Sequence, residues 1–77
     1  MDPRICRVQV SFETIDDTTL PEKKINAFNN RVFKIPGVVE VGWYYCPTVD
    51  IEPKDEKHLT KVISRIDKII SQLNMGK

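Results

Sequence analysis

From Cys6 to Phe12 the chain alternates without a break, with Cys6, Val8, Val10 and Phe12 apolar and Arg7, Gln9 and Ser11 polar. Successive side chains of a strand point to opposite faces, so this period of two predicts a first strand with one buried side. A polar stretch follows, Thr14 to Thr18. Thr19-Leu20-Pro21-Glu22 then has the spacing of a capping box, in which a threonine hydroxyl and a glutamate carboxylate satisfy each other's free backbone amides. A first helix is expected from there. Ile25, Phe28, Val32 and Ile35 give it a single apolar stripe, until Pro36-Gly37 stops it.

Val38 to Tyr45 is rich in β-branched and aromatic residues and reads as a second strand. Cys46-Pro47 interrupts it before another alternating run, Thr48 to Glu52, so the two runs are expected to form a hairpin. Pro53 closes the third strand, and Asp55 is placed to cap a second helix. Leu59, Val62, Ile63, Ile66, Ile69, Ile70 and Leu73 recur along that helix at helical spacing. Met75-Gly76-Lys77 lies past the last periodic residue and is expected to fray, leaving an ordered chain from about residue 4 to about residue 74. With 77 residues, no linker and no repeat, the chain is expected to be one domain with one core.

A strand, helix, strand unit crosses over with a right hand and sets its helix on one face of the sheet, where the second helix can join it. The predicted fold is α+β, a two-layer sandwich of order β-α-β-β-α. This order resembles the ferredoxin-like fold. Within it, Ile35-Pro36-Gly37-Val38, with Val41 and Trp43 beyond, is similar to the helix-to-strand junction of heavy-metal-associated domains, a resemblance spanning residues 5 to 73. That family carries its metal on two cysteines between the first strand and the first helix. Here the loop reads Thr14-Ile15-Asp16-Asp17-Thr18, so the soft-metal function does not carry over, and neither metal nor cofactor is expected. The family fold also closes with a fourth strand beside the first, and no apolar run remains after the second helix to supply one. The first strand is then expected to be an open edge, available to a protein partner or to its own copy in a homodimer.

Composition narrows the functional classes. Hydrophobic residues at 40%, charged residues at 30% and only three glycines exclude a disordered or low-complexity chain. A net charge of +1 gives no overall basic excess for nucleic acid, so the distribution of charge decides. Lys57, Lys61, Arg65 and Lys68 share one face of the second helix, with Lys54 extending it. That face is either solvated or a docking surface for an acidic partner or phosphates, which makes nucleic-acid binding the second functional expectation. The open sheet face is expected to carry Arg7, Gln9, Ser11, Glu13, Glu40, Tyr44, Thr48, Asp50 and Glu52. Four carboxylates against one arginine repel phosphates, which argues against nucleic-acid binding by the sheet.

Trp43-Tyr44-Tyr45-Cys46-Pro47 contains every tryptophan and tyrosine of the chain. Alternation sends Trp43 and Tyr45 toward the helices and leaves Tyr44 outside as a contact residue. Phe33 lies off the apolar stripe, beside Arg31 and Lys34, as either a flank of the core or an exposed anchor. The candidate protein-binding residues are therefore Arg7, Gln9, Phe33, Tyr44, Lys57, Lys61, Arg65 and Lys68.

Catalytic signals are thin, and an enzyme is not expected. His58 stands alone among charged residues and reads as a solvent-exposed side chain without a partner. Asp16-Asp17 is followed by no EF-hand spacing, and neither a glycine-rich phosphate loop nor a nucleophile motif occurs. Cys6 and Cys46 read as reduced thiols, with a disulfide open to them if the strands bring them together. Met1-Asp2-Pro3-Arg4 has the pattern of neither a signal peptide nor a membrane span, so a cytoplasmic location is expected.

Overall fold

A computed structural model of the chain describes residues 7–16 and 18–76. Five elements follow one another: β1 (Val8–Ser11), α1 (Glu22–Phe33), β2 (Val38–Tyr44), β3 (Cys46–Ile51) and α2 (Glu56–Gln72). The strands form one antiparallel sheet in the order β1-β3-β2, so the last strand in sequence lies in the middle. The fold is α+β, with the β-α-β-β-α order of a ferredoxin-like sandwich that has no fourth strand among the described residues.

Both helices cover the same sheet face. Phe28 and Val32 of α1 meet Val62, Ile66 and Ile70 of α2 over Val49 and Ile51 of β3, with Phe12, Leu20 and Ile35 closing the ends of the core. Complete burial of a side chain such as Phe28 contributes about 1.5–3 kcal/mol. Val8 and Val10, at the margin of the sheet, are only half-buried. Asp55 caps α2 as its position suggests, accepting the His58 backbone N–H at 2.8 Å.

Several local expectations are corrected. No capping box forms: Pro21 is the residue before α1 and makes no side-chain cap, while the Thr19 hydroxyl donates to the Asp16 carbonyl at 2.8 Å. Cys46-Pro47 does not interrupt the hairpin but opens β3, with Trp43 opposite Pro47 and Tyr44 opposite Cys46. The chain reverses at Tyr45 alone, whose φ of 69° is left-handed. Tyr45 therefore leaves the alternation and is 73% exposed rather than packed under the helices. Trp43 does face inward, its ring edge-to-face with Phe28 at 5.4 Å between centroids.

Met75 does not fray. Asn74 adopts φ 55°, the Asn74 N–H donates to Ser71 and the Met75 N–H to Ile70, which together make a Schellman ending to α2. The turn drives the Met75 side chain into full burial, and its carbonyl accepts the Ile15 N–H at 2.9 Å. Cys6 lies outside the described residues, as does Asp17, so the Cys6 end of the first strand and the pairing of Cys6 with Cys46 are not described. No described helix is long and apolar enough to cross a membrane.

Candidate functional site

Antiparallel ladders alternate, so that a strand sends the backbone groups of every second residue toward one neighbour and the rest away from it. The Phe12 N–H donates to the Pro47 carbonyl at 3.0 Å, which assigns Val8, Val10 and Phe12 to the β3 side. Gln9 and Ser11 then direct their N–H and C=O groups outward. The bond from Ile15 to Met75 has the same parity and occupies the outer side one step beyond Glu13. Between Arg7 and Glu13, no backbone bond to the outer groups exists among the described residues.

The two sheet margins are not equivalent. On β2, Val39 is an extra residue between the Val38 and Glu40 pairings, a bulge that distorts that edge. β1 pairs in unbroken register, Val8 with Ile51 through Ser11 with Thr48, and carries no lysine, proline or bulge. β2 is thus blunted by its bulge, whereas β1 is limited only by its length of four residues.

The sheet face away from the helices has the predicted balance of charge. Arg7 lies 4.0 Å from Asp50 and 3.8 Å from Glu52, and Gln9 donates to Asp50 at 3.1 Å. Arg7, the one cation of this face among the described residues, is thus engaged by carboxylates. Gln9, Glu40, Tyr44, Thr48 and Asp50 line one small depression there, of about 60 Å³. Tyr44 stands 74% exposed above it, and Tyr45 projects at the hairpin tip. Glu13, Thr14, Asp16, Tyr45 and Cys46 line a wider, shallow depression of about 290 Å³ at that end of the sheet.

Lys57, Lys61, Arg65 and Lys68 are all exposed along α2 and form no ion pair among the described residues. The face they share points away from Val62, Ile66 and Ile70. Phe33 is 51% exposed at the end of α1, which settles it as a surface side chain. The structure therefore joins Arg7, Gln9 and Tyr44 on one face, and sets Phe33 and the α2 cations on separate surfaces.

His58 is not the unpartnered exposed side chain its neighbours suggested. It is half-buried, its Nδ1 accepts the Lys54 backbone N–H at 3.0 Å, and its ring lies against Gly37. An acceptor at Nδ1 places the proton of the neutral ring on Nε2. The side chain thereby joins the start of α2 to the turn before β2. No group of three histidine, cysteine or acidic side chains is placed to hold a metal among the described residues.

Tyr45 and the Met75 end cap of the β1 edge were missed in the sequence. For Met75 a signal existed: asparagine followed by an apolar residue just past a helix is the pattern of a Schellman turn. No family model, curated protein or solved structure matches the chain.

Proposed function

We propose that the chain is a non-enzymatic protein-interaction domain that takes an extended polypeptide segment onto the β1 edge. The observation that carries this reading is the outward-facing backbone of Gln9 and Ser11 on a strand that is short but carries no lysine, proline or bulge. In strand addition, main-chain hydrogen bonds supply affinity and alternate side chains supply selectivity. Arg7 and Gln9 lie on the sheet face beside that edge, while Tyr44 stands exposed on the same face across β3, on the far strand β2, within reach of a partner that extends over the sheet. Phe33 and the α2 cations offer further contacts to a partner large enough to reach them.

Selection of peptides from a random displayed library tests the reading, with Ser11→Pro as the counter-screen. Ser11 directs its N–H outward, so proline removes one edge donor without removing a bond to β3. Selected peptides are expected to bind the parent chain, to fail on Ser11→Pro, and to shift the amide resonances of Gln9 and Ser11. Peptides that bind both forms equally and shift other residues overturn it.

A second reading, nucleic-acid binding through α2, is favoured by the four exposed cations that lack carboxylate partners among the described residues. Its signature is an affinity for single- or double-stranded oligonucleotides that falls steeply with salt and is lost in Lys61→Glu/Arg65→Glu. Absence of any such affinity at low salt removes this reading and leaves the first untouched.

A further inference from the structure

The β1 edge carries its own complement. We propose that its occupant is a second copy of this chain, joined antiparallel across a twofold axis at Val10, so that two three-stranded sheets become one of six. The proposal rests on the strand-addition reading and names the partner.

Self-pairing must set outward residues opposite outward residues, which allows an axis at any residue of β1. An axis at Val8 sets Arg7 against the partner's Gln9 and leaves Ser11 opposite a position outside the described residues. An axis at Gln9 sets Arg7 against the partner's Ser11. An axis at Ser11 sets Arg7 against the partner's Ile15, whose N–H is already bound to Met75. An axis at Val10 pairs Gln9 with the partner's Ser11 and Arg7 with the partner's Glu13, each twice by symmetry. It is the register that opposes unlike charges, and it ends on both sides where the Met75 carbonyl closes the edge.

The side chains agree with this register on both faces. Toward the helices, Val10 meets its own copy and Val8 meets the partner's Phe12, so the half-buried valines at the sheet margin gain apolar cover. On the open face, Glu13 is exposed and forms no ion pair among the described residues. Arg7 already faces Asp50 and Glu52, and a guanidinium with five N–H donors can take a further carboxylate.

Light scattering on the eluting full chain, from micromolar to millimolar, is expected to show mass rising from 8.9 kDa toward twice that value. Ser11→Pro is expected to remain monomeric over the range. Glu13→Lys is expected to weaken the dimer about fivefold, the effect of losing two exposed ion pairs. In a Cys6→Ser/Cys46→Ser background, an oxidised mixture of Gln9→Cys and Ser11→Cys chains is expected to form the mixed disulfide ahead of either homodimer. That readout holds even if proline at Ser11 disturbs folding.

A mass of 8.9 kDa at every concentration overturns the proposal, as does a dimer indifferent to Ser11→Pro or cross-linked first as a Gln9→Cys homodimer. A monomer that still binds selected peptides in a Ser11-dependent way overturns self-pairing alone. A monomer whose selected peptides ignore Ser11→Pro overturns the strand-addition reading with it.

Discussion

The indole Nε1–H of Trp43 donates to the Asn29 side-chain oxygen at 2.9 Å, tying β2 to α1 at the point where the Trp43 ring also meets Phe28. A partly buried indole needs such an acceptor, because a donor removed from water without one costs about 1–3 kcal/mol. Asn29→Ala is expected to lower stability by about 1–2 kcal/mol in urea unfolding. Emission from the single tryptophan should shift to the red in the folded state as water reaches Nε1. Asn29→Asp keeps the acceptor and is expected to lose less.

Gly37 and His58 form a second dependent pair. Gly37 has φ 101°, and a Cβ there falls 2.8 Å from His58 Cε1 and 3.4 Å from the Glu52 carbonyl oxygen. Gly37→Ala is expected to cost about 1–3 kcal/mol from backbone strain and contact. In a His58→Ala background the same substitution should cost less, since the ring is gone and only the backbone terms remain. A double-mutant cycle measured by denaturant unfolding reads the difference directly.

Met75→Ala is expected to destabilise by about 2–4 kcal/mol, the range for truncating a buried methionine. Fast amide exchange at Ile15 should accompany the loss, because the Met75 carbonyl that holds that N–H is positioned by the buried side chain. An unchanged stability with Ile15 still protected would contradict the burial described for this turn.

Tyr45→Gly is expected to raise stability by about 1 kcal/mol, the typical relief when a left-handed position is given a residue without Cβ. An exposed tyrosine held at that angle spends stability on a surface ring. If thermal unfolding shows no gain, the Tyr45 ring contributes packing that its exposure does not suggest.

The large elements were readable because each has a long, clean period. Ile25, Phe28 and Val32 on α1, and Val62, Ile66 and Ile70 on α2, sit where a spacing of three to four residues places them. Alternation along β1 and β3 likewise assigned Gln9 and Asp50 to the open face, where they are hydrogen-bonded. Failures occurred where the chain turns with atypical residues. Tyr44-Tyr45-Cys46 contains no glycine or asparagine to announce a reversal, so alternation ran one residue too far. Thr19 and Glu22 have the spacing of a capping box, but the threonine hydroxyl is engaged one turn earlier by Asp16.

For the surface, counting apolar runs was enough to foresee that β1 lies at a margin of the sheet among the described residues. Which backbone groups point outward depends on register, and register is a tertiary property fixed here by Val8 against Ile51 and by Phe12 against Pro47. The Met75 carbonyl that bounds the edge was invisible to periodicity, because a single apolar residue beyond a helix has no period.

The central position of β3 also sets the order of events during synthesis. β2 and β3 are joined through one residue and can pair as soon as both have emerged, whereas Val8 must wait for Ile51, more than forty positions later. At elongation rates of ~5–20 residues per second this interval is about 2–9 s. During it the most pairable strand of a nascent chain is bare on both margins.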